Sequence, residues 1–181
     1  MIRFHAIAMN SVAFVFLLVN LLISPVAAVG DDPRQARPLR EQLVGTWTLL
    51  SDYALREDGS RMQPFGTDPK GIFMLDARGR FSYLIVAENR PKFASNNRRE
   101  GTPEEYKAAV QGIIAFYGRY SVDEDRRVVT WHIERCVFPN WDGTDRNISV
   151  AIDADEMSFA ADPIPSATGP YIPHVTWKRA P

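Results

Sequence analysis

Residues 126–146 read RRVVTWHIERCVFPNWDGTDR, and the first half of that stretch alternates. Val129, Trp131 and Ile133 fall on one face of an extended chain, and Thr130, His132 and Glu134 on the other. Bulky apolar groups on one side and a titratable pair on the other describe a strand in a curved sheet. One face joins the core, and the other lines a cavity or meets water. The alternation does not say which face of 128–136 points inward. The second half, Phe138-Pro139-Asn140-Trp141-Asp142-Gly143-Thr144, mixes rings with turn-formers, as a loop at a barrel mouth does.

The same period of two runs outward in both directions. Before the stretch, Phe116 to Val122 alternates and reaches it through the acidic turn Asp123-Glu124-Asp125. After it come strands over 147–153 and 156–161, a proline-rich loop over 162–173, and a last strand over 174–179. Nearer the start, 71–76 and 80–87 flank Ala77-Arg78-Gly79 as a hairpin. The first strand spans 43–55, with Gly45, Trp47, Leu49, Ser51 and Tyr53 on one face and Thr46, Thr48, Leu50 and Asp52 on the other. Thr102-Pro103-Glu104-Glu105 is a capping box with proline at the first helical position, which predicts one short helix near 103–112. The polar segment 88–101 reads as a surface loop pinned by Phe93, in the position of a lid or a solvated connector. Eight strands in hairpin succession close most economically into an up-and-down barrel, with a two-sheet sandwich as the competitor.

Composition narrows the function classes. Residues 1–28 carry a short basic start at Arg3 and His5, an apolar run from Val12 to Ile23 and small residues at Val26-Ala27-Ala28. That is the pattern of a signal peptide cut after Ala28, so a secreted or periplasmic location is expected, with no stable membrane span once it is removed. A flexible lead-in over 29–42 and a barrel domain over 43–181 follow. The chain has 21 Lys and Arg against 22 Asp and Glu, which gives no nucleic-acid footprint. Cys136 is the one cysteine, so no intrachain disulfide can form and the fold rests on its core. There is no nucleophile elbow, phosphate loop or dinucleotide fingerprint, and no cofactor is expected.

Several blocks in order, LVGTWTLLS, DPKGIFML, RPKF, GTPEEYKAAVQGIIAFYGRYSVD and VVTWHIERCVFPNWDGTDR, resemble the bacterial and fungal lipocalin-like domain family, and Gly45-Thr46-Trp47 is similar to the Gly-x-Trp signature of lipocalins. The resemblance covers roughly Leu43 to Trp177. It implies an all-β, eight-stranded antiparallel calycin barrel with a cavity at one end, and it implies little about chemistry. It also implies that Trp47 packs at the closed end beneath a basic residue of the last strand, Arg179 or Lys178, with Gly45 beside it.

The candidate ligand-binding residues are Tyr53, Tyr83, Arg119, Tyr120, His132, Glu134, Trp141 and Arg146. Aromatic walls with a few polar handles suit a small lipophilic ligand. His132 and Glu134 share a strand face and form the sharpest local pair, a candidate acid–base couple for a cofactor-free isomerase or cyclase, with Arg119 or Arg146 to hold an anion. Against that stands a register-fixing polar network between strands. A zinc set of His132, His174 and Glu134 has no short-spaced ligand pair beside it, so no metal is expected. A third reading is an interaction module with a solid barrel and a basic 90–99 loop. The sequence leaves ligand identity and oligomeric state open.

Overall fold

The computed structural model describes residues 37–181; the signal-peptide reading of 1–28 lies outside them. Nine strands follow in order: β1 (Gly45–Arg56), β2 (Arg61–Met62), β3 (Lys70–Leu75), β4 (Arg80–Val86), β5 (Ile113–Asp123), β6 (Val128–Cys136), β7 (Asp145–Asp153), β8 (Glu156–Ala161) and β9 (Tyr171–Arg179). Each pairs antiparallel with its successor in space, and β9 returns to pair with β1 from Trp47↔Arg179 to Arg56↔Tyr171. That closure makes an eight-stranded barrel of β1 and β3–β9, and β2 is a two-residue appendage on β1. The sandwich alternative is thereby removed, because a sandwich leaves edges that this sheet does not have.

Inward positions alternate strand by strand. Phe73 and Leu75, Phe81, Tyr83 and Ile85, Val129, Trp131 and Ile133, Met157 and Phe159, and Val175 and Trp177 are all buried. Two one-residue bulges break the alternation. In β1 the ladder to β9 steps from Leu49↔Trp177 to Ser51↔Thr176, so Leu50 is extra and bulges to the outside. Trp47 and Leu49 therefore face in before the bulge, and Asp52 and Ala54 after it. In β6 the ladder to β5 skips Glu134, so Glu134 and Arg135 both face out. Gly118 lies opposite that bulge, where a Cβ would sit 2.0 Å from the His132 carbonyl oxygen, so only glycine fits.

A short helix, α1 (Leu39–Leu43), closes one end of the barrel, with Leu39 and Leu43 buried. The flexible lead-in expected through 42 is thus corrected at its end. The apolar Leu39 and Leu43 cover the barrel floor, and the Glu124 carboxylate from the β5–β6 turn accepts from the Leu39 and Arg40 amides at 2.6 and 2.9 Å. On this floor, too, the Trp47 indole N–H donates to the Leu43 carbonyl at 2.9 Å, and the Arg179 guanidinium lies 4.1 Å over the Trp47 ring. Arg179, rather than Lys178, is the basic partner. Gly45 has φ +139°, and a Cβ there would meet Arg179 Nη1 at 2.9 Å, so the glycine lets the guanidinium close the floor.

The predicted helix is α2 (Pro103–Gln111), with the Thr102/Glu105 capping box formed on both sides. The 88–101 segment is pinned to it. Phe93 meets Tyr106 edge-on at 5.4 Å, and Ala94 N–H donates to Glu105 at 2.8 Å.

Candidate functional site

The opposite end of the barrel is open. The interior below it is filled by a continuous set of rings: Phe73 meets Phe81, Tyr83, Trp131, Phe159 and Trp177 at 5.4 to 6.5 Å. Above that plug lies a cavity of about 360 Å³ walled by Tyr83, Phe116, Trp131, Phe159 and Val175. Its size and lining match those of a pocket for one small apolar molecule. Loops carrying Pro64, Phe65, Ile164 and Pro165 and the end of α2 at Gln111 frame the mouth. No residue of 88–101 lines it, so of the two readings of that segment the connector is the one that fits, and the loops after β2 and β8 border the mouth.

Trp141 and Arg146 stand together at the mouth. Trp141 ends a 3₁₀ turn, Pro139–Trp141, that folds back because Cys136 N–H donates to the Asp142 carboxylate at 2.7 Å. The Arg146 guanidinium lies 4.3 Å over the Trp141 ring. Partial burial pulls the Arg146 pKa down, yet a guanidinium stays charged, so the mouth carries a cation. Cys136 is half-buried, burial raises its thiol pKa, and its Sγ accepts from the Phe138 amide at 3.3 Å.

The polar group inside the cavity is Asp52, which sequence reasoning missed. It is 8 % exposed, its Oδ2 has no hydrogen-bond partner, and desolvation raises its pKa from 3.8 to about 6. Tyr83 and Tyr171 lie near enough to feel its charge, which pushes their hydroxyl pKa values up alongside burial, the larger cause.

The other candidates divide by place. Tyr83, Trp141 and Arg146 line the cavity. Tyr53 borders it only from the barrel wall. The Leu50 bulge turns its ring outward, where it stacks on His174 at 5.0 Å under the Arg61 guanidinium at 3.6 Å. Tyr120 sits toward the closed end, donating its hydroxyl to the Asp76 carbonyl at 2.7 Å. Arg119, His132 and Glu134 lie on the outer surface, because Trp131 and Ile133 take the inward positions of β6. The expectation that His132 and Glu134 meet a ligand in the cavity is corrected accordingly. Among the described residues, no three His, Cys, Asp or Glu side chains come together in a group that could hold a metal ion.

What the outer face holds is a cross-strand network. Glu134 pairs with Arg80 at 2.7 Å and Arg119 at 3.6 Å; His132 Nδ1 meets Asp145 at 2.8 Å and Nε2 meets Ser121 at 3.0 Å. The Ser121–His132–Asp145 order of contacts is that of a hydrolase triad. It nevertheless stands on a convex sheet, away from the cavity, with the flanking backbone engaged in the β5–β6 ladder. These contacts cross-link β4, β5, β6 and β7 on the outer face. His132→Ala is therefore expected to cost about 1 kcal/mol or less of stability, since exposed pairs contribute little, and to leave ligand affinity unchanged in a fluorescence titration. A large affinity loss would return His132 to the site.

Comparison with known proteins adds to this geometry. Among curated proteins none matches the sequence. Residues 44–180 match the model of the lipocalin-like domain, which spans the whole barrel from the residue before β1 to the one after β9. With the closed eight-stranded sheet, the Gly45-Thr46-Trp47 floor and its Arg179 cover, the chain belongs to the lipocalin-like domain family.

Proposed function

We propose that this protein binds a small lipophilic molecule in the open end of its barrel, and that it does so outside the cytoplasm after its first 28 residues are removed. The observation that carries the binding reading is the cavity itself, about 360 Å³ of aromatic-walled space above a packed floor. A barrel built only as an interaction module would have that space filled by its own rings. Burying an apolar guest there gains roughly 25 cal/mol for each Å² removed from water. The export reading rests on the basic start, short apolar run and small residues of the first 28 positions. N-terminal sequencing of protein recovered from the extracytoplasmic fraction checks it, with Val29 expected first.

The binding test is a thermal-shift panel of fatty acids, quinones and polyketide-like aromatics. A ligand at a hundred times its Kd stabilises by about 2.7 kcal/mol, or about 5–10 °C for a domain of this size. Ala161 faces the cavity from the end of β8, so Ala161→Trp should fill it and abolish the shift while the far-ultraviolet spectrum stays that of the wild type. A panel in which no class raises Tm removes the binding reading; an undiminished shift in the Ala161→Trp protein moves the site elsewhere.

A further inference from the structure

We propose that the ligand carries a hydrogen-bond donor, a hydroxyl or phenol group, and that Asp52 receives it inside the barrel. The inference rests on the binding reading above and deepens it. Nearly every group around the cavity interior is a ring or an aliphatic chain, and Asp52 stands among them as a carboxylate, with Val175 across the β9 ladder and Tyr83 two strands away on β4. It is more than nine-tenths buried, and its Oδ2 faces no protein donor. Buried acceptors in native proteins are partnered as a rule, because an unpaired one carries its full desolvation cost. A guest that donates to the carboxylate offsets that cost, whereas an apolar guest of the same shape leaves it standing.

The neighbours do not supply the missing partner. Arg146, the cation that lines the cavity, is held over Trp141 and reaches toward the Asp162 carbonyl at 3.4 Å. Tyr83 and Tyr171 face Asp52 without a hydrogen bond to Oδ2. The second orphan of the interior, Trp177 Nε1, is fully buried and does not line the cavity, so it is no ligand contact. The orientation follows from the two polar positions: the donor end goes down to Asp52, and the rest of the molecule lies between the Phe116, Trp131 and Phe159 rings toward the mouth. The Leu50 bulge is the device that makes this possible, since an unbroken strand would turn Asp52 to solvent and Tyr53 inward.

The test uses 1-naphthol and its methyl ether, 1-methoxynaphthalene, titrated at pH 8 against the intrinsic tryptophan fluorescence. The ether replaces the donor hydrogen with a methyl group, and a charge-assisted hydrogen bond gives about a ten- to hundredfold preference for the naphthol, which the Asp52→Val variant separates from the effect of the added methyl. In Asp52→Val that preference should vanish while the ether still binds; Asp52→Asn, which keeps an acceptor, should retain part of it. Equal affinity of the wild type for both probes overturns the assignment and leaves the binding reading intact, as does a preference that survives in Asp52→Val. If neither probe binds and the wider ligand panel also fails, the binding reading itself falls.

Discussion

At pH 8 the Asp52→Asn protein should be more stable than the wild type by about 2–3 kcal/mol, and at pH 4 the two should be nearly alike. Burial raises the Asp52 pKa from 3.8 to about 6, so the folded state holds this proton more tightly than the unfolded chain. Between those values the native protein binds more protons than the unfolded one, and stability contributed by this group falls as pH rises through the window. Each pH unit is worth about 1.4 kcal/mol, which sets the upper limit near 3 kcal/mol; above about pH 6 the cost is constant. Asparagine has the same shape without the charge. Urea denaturation of both proteins at pH 4, 6 and 8 reads the difference directly, and the remaining carboxylates cancel in the comparison. A gap that does not depend on pH would mean that the carboxylate is solvated or paired in solution, and the argument for a ligand donor would go with it.

A buried carboxylate that lowers the stability of its own fold at neutral pH is a feature that binding sites tolerate. Sites of this kind are where local rules are broken and the rest of the structure compensates. Here the β1–β9 ladder runs unbroken in pairing past Asp52, and the Phe73 ring cluster and the Trp47 floor pack the barrel below it.

Much of the architecture was legible in the chain because antiparallel hairpins write their own signature. The period-two runs, the turn at Ala77-Arg78-Gly79 and the capping box at Thr102 each specify a local structure that tertiary packing had no reason to override. The site was less legible for one physical cause. A bulge adds a single residue and no turn signal, so Leu50 reads like any other strand position, yet it exchanges the two faces of β1 for the rest of its length. Unbroken alternation therefore puts Tyr53 on the same face as Trp47 and Leu49, and the structure instead puts Asp52 there while the Tyr53 ring stacks on His174. In β6 the alternation was right and its sense was open. The volume of Trp131 and Ile133 decides it, since burying two large apolar side chains outweighs giving His132 and Glu134 a view of the cavity. The α1 floor was hidden by Pro33 and Pro38, which mark the segment as loop although Leu39 and Leu43 stand four apart behind them.

Trp47→Ala should cost about 3–5 kcal/mol, enough to leave the barrel marginal or unfolded at 37 °C. Trp47 is fully buried at the floor, and it joins three elements at once. Its ring carries the Arg179 guanidinium of β9, its N–H holds the Leu43 carbonyl of α1, and Arg179 in turn donates to the Val44 and Gln42 carbonyls at 2.9 and 2.7 Å. Alanine opens a cavity, orphans one carbonyl and removes the surface that positions the guanidinium, so the loss exceeds that of the ring's apolar area alone. Trp47→Phe separates these contributions. It keeps most of the ring and loses the hydrogen bond, and should cost about 1–2 kcal/mol. Because the floor and the cavity are divided by the ring plug around Phe73, Trp47→Phe should bind naphthol as the wild type does, measured at 10 °C where it stays folded. An alanine variant that loses under about 1 kcal/mol would show that α1 and Arg179 close the barrel without the tryptophan. A phenylalanine variant with altered affinity would show that floor and cavity are coupled through the plug, and the two ends of the barrel would then have to be treated as one site.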